Sequence, residues 1–135
     1  MITYDEAGQM LDEISKEIPE EFYTELNGGI ILSDEIKYHP ISREGEHLYI
    51  LGEYHNDRKG YGGMGRYIVI YFGSFERLYG YATRAAFRRE LRRVVLHEFT
   101  HHLESLAGEK GLEIKDEMSL IKYKERGFYN TAPWE

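Results

Sequence analysis

Apolar positions in this chain fall into three successive patterns. In the first, Ala7, Leu11, Ile14 and Ile18 recur at helical spacing until Pro19, and Thr3 and Glu6 stand in capping-box register ahead of them. This predicts a helix, followed by a short second one around Glu20 to Leu26 that ends at Asn27-Gly28-Gly29. From Ile30 to Phe72 the pattern changes to strands and turns. Ile30–Leu32 and Ile36–Tyr38 make one or two short strands, and Leu48–Tyr54 makes another after a turn over Ser42–Glu46. Tyr67–Phe72, continuously β-branched or aromatic, is the strongest strand signal. Its two apolar faces suit an edge strand beside a cleft or an interior strand equally well. Phe75–Ala82 is then a connection with room for a helical turn. The third pattern is a long helix from about Thr83 to Ala107, stopped by Gly108 or Gly111, and Asp116–Arg126 reads as a last helix. The tail from Gly127 to Glu135 carries Trp134.

The long helix holds the chemistry. Val94-Val95-Leu96-His97-Glu98-Phe99-Thr100-His101-His102-Leu103 contains His-Glu-x-x-His inside an apolar run. Residues four apart stand one above the other on a helix, so His97 and His101 can converge on one tetrahedral Zn²⁺. Glu98 then projects close to the same side, where its carboxylate reaches a metal-bound water as general base. At ~100° per residue, Phe87, Leu91, Val94, Val95, Glu98, Phe99 and His102 share one broad face. His97 and His101 border it, and Arg89, Arg92 and Arg93 fall on the far side as a solvated face. Leu96 and Leu103 imply that the second half of the motif is covered on two sides.

Composition narrows the class. A chain of 135 residues bounds one domain, 1–135, with a modest core. There is no cysteine, so any metal must be held by His, Asp or Glu, and a reducing, cytoplasmic setting is expected. Seventeen basic residues against 24 acidic ones give a net charge of −7, which argues against nucleic acid as a partner. The start of the chain has no secretory pattern, and no apolar run approaches the ~20 residues of a membrane span. Gly60, Gly62 and Gly65 spell GxGxxG, but a strand rather than a helix follows, so no dinucleotide site is expected.

The succession of helix, sheet, long His-Glu-x-x-His helix and short helix resembles a minimal zincin. More narrowly, it resembles the small bacterial metallopeptidase-like family carrying HExxHxxGxxD. Besides the motif, the likeness takes in Leu51-Gly52-Glu53-Tyr54, Ile68–Phe72, Phe75-Glu76-Arg77-Leu78 and Asp116-Glu117. The resemblance implies an α+β, minimal zincin-like fold with N-terminal helices, a small twisted mixed sheet, the motif helix and a short C-terminal helix. It implies zinc-dependent hydrolysis of a peptide or protein substrate. It also aligns Asp116 with the family's third metal ligand. This chain departs from the pattern after His101, with Glu104 in place of the family's Gly and Ala107 in place of its Asp. Glu104 lies seven residues beyond His97, a rise of ~10.5 Å on a continuous helix, so it suits a neighbour of the site better than a ligand. Asp116, then Glu117, then Glu113 are the candidates for the third position.

Other residues have plainer readings. His102 is expected to be a core histidine bonded to a backbone carbonyl. His39, His47 and His55 read as loop or strand-end residues, with a third-ligand role as the sharper alternative. Tyr71 and Tyr123 are candidates for oxyanion stabilisation, against ordinary packing. Arg84, Arg88, Arg89, Arg92 and Arg93 read as a solvated face paired with carboxylates, against a docking site for an acidic partner. The competing class to the hydrolase is a zincin-fold binding or regulatory protein with little protease activity.

Overall fold

The structure, a computed structural model, describes residues 1–41, 48–57 and 65–110. Helix α1 (Tyr4–Glu17) starts on the expected capping box. Thr3 Oγ1 accepts from the Glu6 amide, and the Glu6 carboxylate accepts from the Thr3 amide. Its Ala7, Met10, Leu11 and Ile14 are buried. The second predicted helix shrinks to one 3-10 turn, Glu20–Tyr23. Glu25 sits at φ 61, in the left-handed region, and that turns the chain toward the sheet instead of prolonging the helix.

Five strands follow among the described residues: β1 (Gly29–Ser33), β2 (Lys37–Tyr38), β3 (Tyr49–Ile50), β4 (Gly52–Asp57) and β5 (Gly65–Tyr71). The main sheet is mixed, ordered β1–β5–β4, with β1 parallel and β4 antiparallel to β5. The Tyr67–Phe72 run therefore supplies the central strand, and the alternative of an edge strand there is corrected. Among the described strands, β4 is the edge that lies over the motif helix. The single strand expected over Leu48–Tyr54 is two, because the chain changes partners at Leu51. Tyr49 and Ile50 pair with β2, and from Gly52 onward the pairing is with β5.

Phe72 opens a helix rather than closing a strand. Helix α2 (Phe72–Tyr79) occupies most of the segment expected as a connection. A Cβ on Gly73 would stand 2.6 Å from the Glu35 backbone, so only glycine lets α2 cross so close to the approach to β2. Helix α3 (Arg84–Lys110) begins with Thr83 Oγ1 accepting from the Ala86 amide, and it runs through Gly108 without a break there.

Helix α3 lies against β4 and β5, and α1 packs on α3. Ile68 and Ile70 of β5 face this layer, together with Phe22, Phe75, Phe87, Leu91, Val95, Phe99 and Leu103. The described architecture is α+β, with helices layered on a small mixed sheet. Among the described residues no helix is long and apolar enough to cross a membrane.

The arginines of α3 divide. Arg84 pairs with Glu6, Arg88 with Glu13 and Glu17, and Arg92 with Glu17, so they join α3 to α1. Arg89 is exposed, as expected. Arg92 is only half-buried and Arg93 is buried, which corrects the solvated far face at those two positions. The wider burial follows from neighbours on other elements: Glu17 of α1 meets Arg92, and Tyr79 of α2 meets Arg93. Periodicity within one helix does not reveal neighbours of that kind.

Candidate metal centre

All seven residues assigned to the core face of α3, from Phe87 to His102, are buried, Glu98 included at 6% exposure. His97 and His101 are exposed beside that face. Their Nε2 atoms point at each other across 3.1 Å, with the rings edge to face. Two imidazole nitrogens held tetrahedrally by one zinc ion at ~2.0–2.1 Å stand ~3.3 Å apart. The pair thus fits a zinc ion with a shift of a few tenths of an ångström. The fit follows from a one-turn offset on a straight helix, which is local geometry.

Glu104 is the next group along. Its Oε2 lies 3.7 Å from His101 Nδ1, the ring nitrogen turned away from His97. With α3 unbroken, Glu104 flanks the pair and does not join it, in keeping with the role of neighbour. Asp116, Glu117 and Glu113 lie outside the described residues, as do the predicted last helix, Tyr123, Trp134 and His47. Among the described residues, no group of three ligating side chains comes together. His39 and His55 are not brought to the pair. His39 Nδ1 accepts from the Ile41 amide, and His55 stacks on Tyr67 at 4.9 Å on the sheet face away from α3.

That outer face also holds Tyr71. Its hydroxyl donates to Glu53 Oε1 at 2.5 Å, and the Lys37 ammonium donates to the same oxygen at 2.5 Å. Tyr71 is thereby tied into a satisfied cluster across the sheet from His97 and Glu98. Among the described residues, the tyrosines that share a cavity with His97 and Glu98 are Tyr49 and Tyr79, which sequence reasoning did not single out. No local pattern marks them, because β3 and α2 bring them in from distant parts of the chain.

Tyr49, Ile50 and Leu51 form one wall of a cavity of about 410 Å³, and Leu78 and Tyr79 form a second. His97 and Glu98 line it from α3. A Cβ on Gly52 would stand 2.7 Å from Val94 Cγ1 and 3.2 Å from Ile70 Cδ1, so the glycine lets β4 lie directly on α3 at the cavity floor.

His102 is fully buried and behaves as the expected core histidine. Its Nε2 is 2.9 Å from the Thr24 carbonyl and its Nδ1 is 2.9 Å from the Tyr54 hydroxyl. A carbonyl can only accept, so Nε2 carries the proton and donates. Nδ1 then accepts from Tyr54. Arg66 Nη1 donates to the Tyr54 oxygen at 3.3 Å and to Ser105 Oγ at 2.7 Å. Burial holds the His102 imidazole below its ordinary pKa, partly offset by the Thr24 carbonyl, so it stays neutral. This chain of donors joins α3 to the Thr24 turn, β4 and β5.

No family model and no curated protein matches the chain. Among solved structures, it is similar to a conserved hypothetical protein from Thermus thermophilus. Identity is 34%, the match covers 80% of this chain and 100% of that one, and the TM-score is 0.68.

Proposed function

This chain belongs to the same family as that Thermus thermophilus protein, and for it we propose the activity of a zinc-dependent, metallopeptidase-like hydrolase on a minimal zincin-like fold. The observation that carries the reading is the convergence of His97 Nε2 and His101 Nε2 at 3.1 Å beside a cavity that Glu98 also lines. His97 and His101 would hold the metal, with Asp116 as the proposed third ligand. A zinc ion bound there would supply Lewis acidity to a scissile carbonyl and to an attacking water. Glu98 takes the proton that the water loses as its oxygen bonds to the carbonyl carbon. It then returns that proton to the amine nitrogen as the carbon–nitrogen bond breaks. At 6% exposure the carboxylate sits out of bulk water, so the proton it carries stays within the site between the two steps. The substrate is proposed to be a peptide or protein and the setting cytoplasmic.

The test is turnover of a peptide library by zinc-loaded protein, with loss in chelator and recovery on adding Zn²⁺. One observation favours a second reading. Helix α3 continues unbroken past His101 to Lys110, through Glu104, the position at which the resembled HExxHxxGxxD pattern has a glycine. A zincin-fold binding or regulatory protein would bind zinc through the same histidines and cleave nothing in that library.

A further inference from the structure

We infer that the cavity beside His97 and Glu98 is a recognition subsite for one large apolar side chain. On the hydrolase reading, on which this substrate class rests, the substrates are peptides with an aromatic or long aliphatic residue next to the bond presented to Glu98. Size is the first argument. About 410 Å³ falls within the ~300–1,000 Å³ of small-ligand pockets, enough for a large side chain with its adjoining backbone and too little for a folded partner.

The second argument is the lining. Ile50, Leu51, Leu78 and Val94 line the cavity together with Tyr49 and Tyr79. Leu78 is 49% exposed, so its outer part is not committed to the core and stays available at the mouth.

The third is charge. Arg93 also lines the cavity and is 9% exposed, with its Nε 3.0 Å from Glu90 Oε2. Tyr79 is hydrogen-bonded to the same guanidinium. The cation is already matched by an anion, so an incoming Asp gains no uncompensated partner and an incoming Lys meets a guanidinium. With Glu98, the other charged group of the lining, replaced by Gln, neither charge meets an opposite one there that offsets its desolvation. A neutral apolar side chain loses nothing on entry and gains burial.

Placement ties the subsite to the chemistry. His97 and Glu98 line the same cavity, and Gly52 holds the β4 edge down on Val94 at its floor. A side chain seated between Ile50 and Leu78 therefore leaves its own backbone beside Glu98.

The test uses blocked pentapeptides that differ only at the central residue, Phe, Leu, Ala, Asp or Lys. Each is titrated calorimetrically into the full-length Glu98→Gln protein, once zinc-loaded and once metal-free. Phe and Leu should bind about tenfold or more tighter than Ala, with Asp and Lys weaker than Ala. Leu78→Asp, a change at a half-exposed position, should erase that preference and leave the melting temperature and zinc content near the parent's. Equal affinities for Phe and Ala, or a preference that survives Leu78→Asp, would overturn the inference. The hydrolase reading is decided separately, by turnover and zinc content of the parent protein. Apolar preference on the metal-free protein supports the subsite even if that turnover is nil.

Discussion

His101 and His102 are neighbours in sequence and opposites in surroundings. His101 is exposed, its Nε2 faces His97, and Glu104 stands beside its other nitrogen. His102 is fully buried, with each ring nitrogen spent on one fixed partner, the Thr24 carbonyl and the Tyr54 hydroxyl. One step along a helix turns a side chain by ~100°, enough to take an imidazole from the cavity rim into the core. A histidine becomes a ligand candidate when a lone pair is left facing another donor atom at metal-binding distance. It becomes structural when burial forces both nitrogens to be satisfied inside the protein.

The largest expected effect breaks this pair apart directly. Zinc-replete protein should carry about one Zn²⁺ per chain by elemental analysis. His97→Ala and His101→Ala should each lose it, while His102→Gln should keep it; equal zinc content in all of them would remove the distinction. Next comes catalysis. Glu98→Gln should lower peptide turnover by roughly 10²–10⁴-fold with zinc and fold retained, and parental turnover in that variant would exclude Glu98 as the base. The converse concerns stability. His102→Ala should destabilise the fold by roughly 2–4 kcal/mol in denaturant unfolding, because it opens a cavity and strands the Tyr54 hydroxyl and Thr24 carbonyl. His101→Ala, at an exposed position, should cost under about 1 kcal/mol in metal-free protein. Similar losses at the two positions would contradict their different burial.

A finer effect separates ligand from neighbour around His101. Asp116→Ala should weaken zinc binding by well over about tenfold, and Glu104→Ala by less than that. The reverse order in a competition titration would make Glu104 a ligand and require α3 to bend after His101. The smallest effect tests another satisfied cluster, on the sheet face away from α3. Burial alone pushes the Glu53 carboxyl upward, but its bonds from Lys37 and Tyr71, with His55 nearby, together hold it below the ordinary carboxylate value. In the acid window the unfolded chain therefore binds more protons than the native one. The stability Glu53 contributes is present above about pH 4.3 and is lost as pH falls through its lower folded value. Thermal unfolding of the parent and of Glu53→Gln from neutral pH to about pH 3 should show the parent's advantage shrinking in acid; a constant gap would mean that Glu53 is not held low.

What the sequence determined by itself was whatever depends on residues within a few positions of one another. The Thr3–Glu6 capping box, the start of α3 at Thr83, the buried stripe from Phe87 to His102 and the place of His97 and His101 along its border are all set by helical spacing, and all could be read in advance. The role of His102 could be read as well, since its helical angle put it in the core. Tertiary structure decided the rest. Whether Tyr67–Tyr71 would be an edge or a centre depended on β1 and β4 arriving on either side of it, from opposite chain directions. The change of partner at Leu51 split one apolar run into two strands, and no pattern within the run marks the switch. Tyr49, Tyr79 and Arg93 became cavity walls only because β3 and α2 meet α3 beside the motif. Burial of a charge or a tyrosine depends on what the rest of the chain lays against it. Periodicity shows which way a side chain points, and the neighbours that meet it there come from other parts of the fold.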